Sequence, residues 1–355
     1  MKKIVLIAQE RAAFLHAAPL ANALRKNGVF EPVLVRVLPD EGRAEHEALA
    51  TALGLSDAVR TISAKPGSPV AETASLMAEF EQIFKEIEPD FVIPGGHDNA
   101  SLAGALVAAK MTIPVVSLDA GLRSYDRAES EEINRLIIDS VAVLHFVSEH
   151  SGVYNLMNEG FADERILFAG NTAIDSLVTL ISQVDVADVL KAHSLEQKKF
   201  VTVLLDMPFS SETVANRELL GRLLESIATT STVILPAGEL SEAFEGVPGL
   251  RVIPQLGYLE LLQLLKASAF VLTDSAEFES ELTVMNVPCL TMRKSTARPS
   301  TIEIGTNVLV GNDEQEILER ASTILSGQPA TKTLIPEKWD GAAATRVAEV
   351  LEKAV

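Results

Sequence analysis

A group of acidic residues follows an apolar run in the first half of the sequence. Residues 117–135 read SLDAGLRSYDRAESEEINR. Asp119 ends the apolar run, and Glu131 and Glu132 stand where the next helix is expected to begin. Carboxylates at strand ends and helix starts of an α/β protein can act as general acids or bases on a bound ligand. The same residue types also cap helices, so this stretch indicates either a catalytic centre or a capped helix.

A glycine-rich turn provides a second candidate site. Residues 95–101 read GGHDNAS and lie between an apolar run and a helical pattern. Asp98 or Asn99 can cap that helix. His97 can exchange a proton near neutral pH, although a single loop histidine more commonly serves as a structural hydrogen-bonding group. The turn therefore predicts a helix cap and makes His97 a candidate catalytic residue.

A third stretch, TDSAEFESE at residues 273–281, joins a predicted strand to a predicted helix. Ser275 can cap that helix, and its hydroxyl together with backbone N–H groups can hold a phosphate. Glu281 is expected about two turns along the helix, where a carboxylate can accept hydrogen bonds from both hydroxyls of a ribose diol. An acidic first turn stabilised by the helix dipole is the alternative explanation of these residues.

The stretch AGNTAID, residues 169–175, has the same arrangement of a strand end followed by a helix start. Asn171 or Thr172 is expected to cap the helix, and Asp175 to interact with its positive end. The residue types of this stretch, taken alone, indicate a helix cap.

Short β-rich apolar runs alternate with amphipathic stretches in both halves of the sequence. The predicted strands are KIVLIA, PVLVRVL, FVIPGG, IPVVSLD, VLHFVS and ILFAGN in the first half, and FVTVLLD, TVILPAG, RVIPQL, FVLTDSA, PCLTMRK and NVLVG in the second. This alternation is typical of parallel sheets covered by helices on both faces. We therefore predict an α/β protein with two doubly wound, Rossmann-like parallel-sheet domains that face a cleft.

The domain boundary is predicted near residue 180, where a helical stretch becomes polar before a new strand begins. The first domain then comprises residues 1–180, and residues 181–339 form a nucleotide-binding domain. An amphipathic helix within residues 340–355 can pack on the first domain. Within the first domain, residues 69–87 predict a helix with an apolar face formed by Val70, Leu76, Met77, Phe80 and Phe84.

The composition excludes several classes of partner. The chain has 355 residues and a formal net charge of −19, which argues against nucleic acid and anionic membranes as partners. A phosphorylated small molecule stays possible because helix N-termini bind anions locally. Cys289 has no second cysteine to pair with, which suits a reducing compartment, and the N-terminus does not resemble a signal peptide. We expect a cytoplasmic protein without a membrane span, and the spacing of His145 and His150 suits no common metal site.

These motifs resemble those of the non-hydrolysing UDP-N-acetylglucosamine 2-epimerase family over essentially the whole chain. The similarity is densest at IPVVSLDAGLRS, EEINR, AGNTAID, TDSAEFESE and MRKSTARP, which occur in the family's order and spacing. The resemblance implies the two-domain glycosyltransferase-B architecture. It also implies interconversion of UDP-GlcNAc and UDP-ManNAc by elimination and re-addition of UDP. It implies a homodimer that binds a UDP-sugar and needs neither cofactor nor metal.

The resemblance also assigns roles to individual residues. The residues that match catalytic positions are His97 or Asp98, Asp119, Glu131 and Asp206. The residues that match or adjoin substrate-binding positions are Arg11, Glu132, Arg135, Ser275, Glu277, Glu281, Arg293 and Arg298. In this scheme Arg11 and Ser275 contact the diphosphate, Glu281 holds the ribose, and Arg135, Arg293 and Arg298 match arginines of the family's motifs.

Several positions depart from the family's pattern. His97 stands where a gap-free match places an essential aspartate, and Asp206 stands at the position of a histidine. Asp119 replaces a glutamate, and a displacement near 1 Å can cost on the order of a hundredfold in rate. Glu277 occupies a glycine position beside the expected phosphate site, where its charge has the wrong sign.

The departures leave three functions open. The first is a divergent epimerase acting on UDP-GlcNAc or a related UDP-sugar. The second is hydrolysis of a nucleotide sugar or sugar transfer on the same scaffold. The third is a nucleotide-sugar-binding protein without catalytic activity. Binding of UDP separates the third from a protein that has lost the site, and turnover separates it from the other two.

Overall fold

Helices and parallel strands alternate through the whole computed structural model. The described residues are 1–38, 43–55, 60–63, 67–182, 185–205, 214–238, 241–244, 246–328 and 332–353. They belong to two compact units: unit 1 comprises Met1–Thr179 and Glu337–Val355, and unit 2 comprises Leu180–Pro336.

Unit 1 contains the first seven strands and the first seven helices. The strands are β1 Lys2–Ala8, β2 Phe30–Leu38, β3 Arg60–Ser63, β4 Phe91–Pro94, β5 Val116–Leu118, β6 Leu144–Val147 and β7 Ile166–Phe168. The helices are α1 Arg11–Asn27, α2 Arg43–Ala52, α3 Pro69–Ile87, α4 Asn99–Lys110, α5 Ser130–Val141, α6 His150–Asn158 and α7 Thr172–Ile181, with a 3₁₀ turn at Asp163–Arg165.

Unit 2 repeats the alternation. Its strands are β8 Phe200–Leu204, β9 Thr232–Pro236, β10 Leu250–Ile253, β11 Phe270–Thr273, β12 Cys289–Thr291 and β13 Asn307–Leu309. Its helices are α8 Val186–Ala192, α9 Val214–Ala228, α10 Tyr258–Ala267, α11 Glu279–Met285, α12 Pro299–Glu303 and α13 Glu314–Leu325, with a 3₁₀ turn at Ser241–Phe244. The last helix, α14 Ala343–Lys353, belongs to unit 1 and packs on α1.

The strand orders confirm the prediction of doubly wound parallel sheets. In unit 1, strands β3-β2-β1-β4 form one sheet and β5-β6-β7 another, and a single parallel bridge from Val92 to Val115 links them. In unit 2 the order is β10-β9-β8-β11-β12-β13. The order reverses between β1 and β4, and again between β8 and β11. Ligands of such sheets bind at the carboxyl ends of the strands beside this reversal.

The α3 helix shows how apolar spacing builds the core of unit 1. Leu76, Phe80 and Phe84 are buried in this core, as predicted, and Met77 packs against it. The prediction for Val70 is wrong, since 79% of this residue is exposed. At 3.6 residues per turn, Val70 lies roughly 100° around the helix axis from the centre of the buried face.

The AGNTAID stretch caps more than one helix. The carboxamide oxygen of Asn171 accepts a hydrogen bond of 2.9 Å from the Ala173 N–H at the start of α7, which confirms the predicted cap. The Asp175 carboxylate accepts hydrogen bonds from the N–H groups of Ala343 at 3.1 Å and Ala344 at 2.7 Å. These two N–H groups open α14, so Asp175 ties the C-terminal helix to the rest of unit 1.

Replacing Asp175 by alanine should therefore weaken the attachment of α14. Asp175→Ala is expected to lower the free energy of unfolding by about 1 kcal/mol, the usual cost of a lost cap. Asp175→Asn keeps a carbonyl acceptor and should cost less. Burial raises the pKa of Asp175, against the effect of the two N–H donors. The carboxyl group therefore stabilises the fold most at low pH, and this contribution declines as pH rises through the folded-state pKa.

Urea denaturation at several pH values measures both effects. The matched control is Asp188→Ala, which removes a carboxylate from the first turn of α8 in unit 2. Equal losses for Asp175→Ala and Asp175→Asn at every pH would contradict the capping role.

Candidate functional site

The predicted site residues fall into two groups, one in each unit. The group in unit 1 lies in the segments that follow β1, β4 and β5 and at the start of α5. The group in unit 2 lies in the segments that follow β11 and β12 and in α11. Both groups therefore stand at the carboxyl ends of parallel strands, where α/β proteins bind their ligands.

The turn after β5 is fixed by the buried carboxylate of Asp139 on α5. This carboxylate accepts hydrogen bonds from the Ser117 hydroxyl at 2.7 Å and the Gly121 N–H at 3.0 Å, and it pairs with Arg123 at 2.8 Å. Gly121 has φ of +75°, and a Cβ there would collide with the carbonyl group of Gly152. The turn therefore requires glycine at position 121 and is held by Asp139, which the sequence did not single out as its anchor.

Asp119 lies inside this turn and is paired with a histidine. Its backbone has φ of 50°, in the left-handed region that residues with a Cβ rarely adopt. Its Oδ2 lies 3.2 Å from Nε2 of His16, and Nδ1 of His16 lies 2.6 Å from the Thr172 hydroxyl. All three side chains are buried. The fixed backbone and the histidine contact together hold the Asp119 carboxylate in place.

Sequence reasoning missed His16, although a signal was present. His16 stands in the apolar run AAFLHAAPL, and it is buried with its neighbours Leu15 and Ala17 inside α1. A buried polar side chain requires a hydrogen-bonding partner because leaving it unpaired is costly. That requirement predicts a polar partner for His16 but does not say which one, since Thr172 lies 156 residues away.

The two glutamates at the start of α5 have different environments. Glu132 is buried and accepts hydrogen bonds from the N–H groups of Ser124 at 2.9 Å and Tyr125 at 3.0 Å, and from Arg135 at 3.0 Å. Burial alone would raise the pKa of Glu132, but these three donors outweigh burial and lower it. The Glu131 side chain is 55% exposed and pairs with Arg135 at 3.0 Å. Glu132 therefore supports the turn, whereas Glu131 presents its carboxylate to solvent.

The segment after β4 confirms the predicted cap at Asp98. One carboxylate oxygen of Asp98 accepts a 2.7 Å hydrogen bond from the Ser101 N–H, and the other accepts a 3.4 Å bond from the Glu10 N–H. Burial raises the pKa of Asp98, against the lowering effect of these donors. His97 is only partly buried, and its carbonyl oxygen accepts a hydrogen bond from Asn134. Asp98 is thus engaged as a cap that also holds the segment leading into α1.

Arg11 is the first residue of α1, directly after this tethered segment. The residue as a whole is partly buried. The α1 N-terminus has no side-chain cap from Glu10, so its start is held through the backbone contact with Asp98. The structure therefore places Arg11 next to the capping aspartate and in the same helix as His16.

In unit 2, the prediction that Ser275 caps the following helix is wrong. The helix α11 begins at Glu279, with Phe278 as its N-cap residue, so Ser275 lies in the preceding turn. Its N–H donates to the Thr273 hydroxyl at 3.0 Å, and its own hydroxyl oxygen accepts from the Glu277 N–H at 3.2 Å. The turn is longer than expected because these local bonds satisfy the backbone before the helix starts.

The position predicted for Glu281 is also wrong. Because α11 begins at Glu279, Glu281 lies in its first turn, where a carboxylate interacts favourably with the helix dipole. Glu281 is buried, and the hydroxyl of Tyr258 on α10 donates a hydrogen bond to its carboxylate. Tyr258 therefore fixes the orientation of the carboxylate that the sequence assigned to ribose binding.

The two late arginines belong to a loop that a buried carboxylate holds. Arg293 donates to the Asp274 carbonyl oxygen at 3.5 Å, and the Arg298 N–H donates to the Thr296 hydroxyl oxygen at 3.0 Å. The Thr296 hydroxyl in turn donates to Glu279, which is completely buried. Glu279 was not predicted as a site residue because the sequence shows it as one of several acids at a helix start.

Asp206 lies outside the described residues. Within the described ranges, no group of three or more His, Cys, Asp or Glu side chains could hold a metal ion. His145 contacts the Asp139 carbonyl oxygen, and His150 contacts Glu337. Among the helices that the structure describes, none has the length and apolar character required to cross a bilayer.

Comparisons with known proteins give a consistent assignment. A family model described as UDP-N-acetylglucosamine 2-epimerase matches residues 41–352. A UDP-N-acetylglucosamine 2-epimerase from Methanococcus maripaludis is 31% identical over 278 residues, which cover 73% of this chain and 75% of the relative. A UDP-2,3-diacetamido-2,3-dideoxy-D-glucuronate 2-epimerase from Pseudomonas aeruginosa is 28% identical and covers 99% of both chains.

The fold has a close match among solved structures. The crystal structure of Methanocaldococcus jannaschii UDP-GlcNAc 2-epimerase in complex with UDP-GlcNAc and UDP superposes with a TM-score of 0.85 at 27% identity, covering 99% of each chain. The architecture of this chain is therefore the glycosyltransferase-B-like one that the sequence predicted.

Replacing Glu132 should change how the free energy of unfolding depends on pH. Glu132→Gln is expected to lower the free energy of unfolding by about 2 kcal/mol at pH 7, because an amide cannot accept all three hydrogen bonds. The pKa of Glu132 is lowered in the folded protein, so its stabilising contribution is present above the ordinary value of 4.5 and is lost as pH falls through the folded-state pKa. The difference in the free energy of unfolding between wild type and Glu132→Gln should therefore shrink as pH falls through that range.

Denaturation curves between pH 3 and pH 7 test this expectation. Glu131→Gln is the matched control, since it removes an exposed carboxylate from the same helical turn. A stability difference for Glu132→Gln that stays constant across the range would contradict the assigned role.

Proposed function

Because the chain belongs to the UDP-N-acetylglucosamine 2-epimerase family, we propose that it interconverts UDP-GlcNAc and UDP-ManNAc, or a related pair of UDP-sugars. The reaction would eliminate UDP and add it back with the opposite configuration at C2. The observation that carries this proposal is the Asp119 carboxylate, which is buried, rigidly placed at a strand end and paired with His16. The glucuronate-type relative is the reason for keeping the substrate as a class of UDP-sugars.

The proposed chemistry needs a fixed base for a weakly acidic carbon. Removal of the C2 proton requires a positioned carboxylate, and the electrons of the C–H bond form the double bond while UDP leaves with those of the C1–O bond. We assign proton transfer at C2 to Asp119 and Glu131, with His97 as a third candidate. Asp98 is engaged by two N–H groups, so we assign it to holding the segment before Arg11.

Unit 2 would bind the nucleotide. Ser275, Arg293 and Arg298 would contact the diphosphate, and Glu281, oriented by Tyr258, would accept hydrogen bonds from the ribose. Cations and N–H groups around a leaving diphosphate stabilise the charge that develops on it. In unit 1, Arg11 would add another cation. Because Thr296 and Glu279 anchor the arginine loop, these groups would be in place before the substrate arrives.

A nucleotide-sugar-binding protein without turnover is the alternative that one observation favours. Glu277 directly follows the Ser275 turn, and its N–H is bonded to the Ser275 hydroxyl. A carboxylate beside a departing diphosphate destabilises the negative charge that develops on it, so it opposes elimination of UDP more than binding of the intact UDP-sugar. Measured turnover on UDP-sugars decides between the two functions.

UDP should stabilise the protein if the unit 2 group binds it. At a concentration a hundredfold above the dissociation constant, the stabilisation expected is about 2.7 kcal/mol. Glu277→Gly should tighten UDP binding because it removes a like charge near the diphosphate. Isothermal titration calorimetry and thermal denaturation measure both effects, with Glu319→Gln on α13 as the control for loss of an exposed charge in unit 2. If millimolar UDP changes the melting temperature of neither wild type nor Glu277→Gly, the proposed ligand class is excluded.

The catalytic assignment predicts a specific loss in Glu131→Gln. The substitution keeps the size and the contact with Arg135 but removes the charge, so turnover should fall by about 10²–10⁴-fold. UDP affinity should change little because Glu131 lies in unit 1, on α5. Proton NMR of the anomeric signals follows the conversion of UDP-GlcNAc to UDP-ManNAc. Asp126→Asn removes an exposed acid five residues earlier and should leave turnover unchanged. Wild-type rates in both variants would remove Glu131 from the mechanism.

A further inference from the structure

We propose that His16 is a positioning residue for this reaction, acting through Asp119, and that Thr172 keeps its ring bonded in either protonation state. The inference rests on the proposed function. It assigns to His16 the uptake and return of the proton that Asp119 exchanges with the sugar. Asp119 would thereby return to its ionised form after it has taken a proton from the sugar.

The three side chains come from separate elements that pack together in unit 1. Asp119 follows β5, His16 lies on α1 and Thr172 opens α7. Their exposures are 5%, 4% and 3%, so each side chain must find its hydrogen-bonding partner inside the protein. The Ser176 hydroxyl, one turn further along α7, donates a 2.7 Å hydrogen bond to the Leu15 carbonyl oxygen. This bond joins α7 to α1 and fixes the distance between Thr172 and His16.

The arrangement suits a group that gains and loses a proton. When Asp119 carries a proton, its Oδ2–H can donate to Nε2 of His16, and Nδ1–H donates to the Thr172 hydroxyl oxygen. When the ring is doubly protonated, Nε2–H donates to the ionised Oδ2, and Nδ1–H keeps the same hydroxyl oxygen as its acceptor. The Thr172 hydroxyl oxygen can therefore accept this bond in both states.

The proposed step balances as a proton transfer. Asp119 takes the proton from C2, and the sugar releases UDP and forms a double bond between C1 and C2. The protonated carboxyl group then gives its proton from Oδ2 to the unprotonated Nε2 of His16, whose Nδ1–H points to Thr172. An imidazolium and an ionised carboxylate result. When UDP adds back, Glu131, whose side chain is 55% exposed, supplies a solvent-derived proton to the opposite face of C2, so the configuration inverts. In the reverse direction of the reaction, His16 returns its proton to Asp119.

A series of near-isosteric variants tests this role. His16→Gln keeps an N–H donor near the position of Nε2, but its amide cannot take up a proton. His16→Asn keeps only a hydrogen-bonding group near the position of Nδ1, next to Thr172. In both, the kcat of epimerisation should fall by about a hundredfold or more, with KM within about threefold of wild type. Thr172→Ser should behave like wild type. Thr172→Val should lower kcat by about tenfold, the order expected for one hydrogen bond to a charged group.

Two results would overturn the proposal. Wild-type kcat in His16→Gln would show that Asp119 needs only a hydrogen-bond donor. A raised KM with unchanged kcat would place His16 in substrate binding. Far-UV circular dichroism and melting temperatures verify that each variant is folded. Because UDP contacts are assigned to other residues, UDP affinity should stay at the wild-type value throughout the series.

A measurement without substrate separates this inference from the proposed function. In protein labelled with ¹⁵N-histidine, long-range ¹H–¹⁵N spectra report the protonation of each ring nitrogen. Asp119→Asn should shift both nitrogens of His16, and Thr172→Val should shift Nδ1. The exposed His150, paired with Glu337, serves as the internal reference and should not move. Unchanged His16 signals in Asp119→Asn would disprove the coupling, whereas intact coupling without turnover in wild type would refute only the epimerase activity.

Discussion

The buried carboxylate of Asp139 is the constraint on which the turn after β5, and with it the position of Asp119, depends. Burying an ionised carboxylate costs several kcal/mol unless charges and hydrogen bonds compensate it. Ser117, Gly121 and Arg123 supply that compensation, and each lies within or beside the turn after β5. These contacts hold the turn in a shape that places Asp119 in the left-handed region, with its carboxylate against His16.

Unit 2 applies the same principle with different residues. Glu279 is completely buried at the start of α11 and accepts a hydrogen bond from Thr296 in the loop that carries Arg293 and Arg298. A loop held by a buried carboxylate keeps its cations in place before a ligand arrives, which lowers the cost of ordering them on binding. In both units, a buried acid with no assigned role in the reaction holds residues to which the reaction or substrate binding is assigned.

Much of the fold could be predicted from the sequence because its strands are apolar and its helices amphipathic. The strand β3 was missed, since Arg60–Ser63 contains a single large apolar residue and gives almost no periodic signal. The cap at Asp98 was predictable because capping depends on neighbours in sequence. The start of α11 was placed too early because hydrogen bonds around Ser275 delay the helix to Glu279.

The partners of buried polar residues could not be predicted. His16, Asp139 and Glu279 all stand within helices, where their types are compatible with an ordinary amphipathic or acidic pattern. Their roles come from contacts with residues that the fold brings together, such as Thr172 for His16. Spacing along one chain identifies which residues can do chemistry, but the packing of the elements decides which of them are bound to each other.

Deuterium incorporation at C2 shows whether the protein removes and replaces the C2 proton of a UDP-sugar. UDP-GlcNAc is incubated with the protein in deuterated water, and the nucleotide sugars are followed by proton NMR and mass spectrometry. We expect the C2 proton signal to be lost as UDP-ManNAc forms, because the proton removed by the unit 1 carboxylates exchanges with solvent before UDP returns. Recovery of UDP-GlcNAc with its C2 proton intact and no 2-epimer, or release of UDP without any 2-epimer, would contradict it.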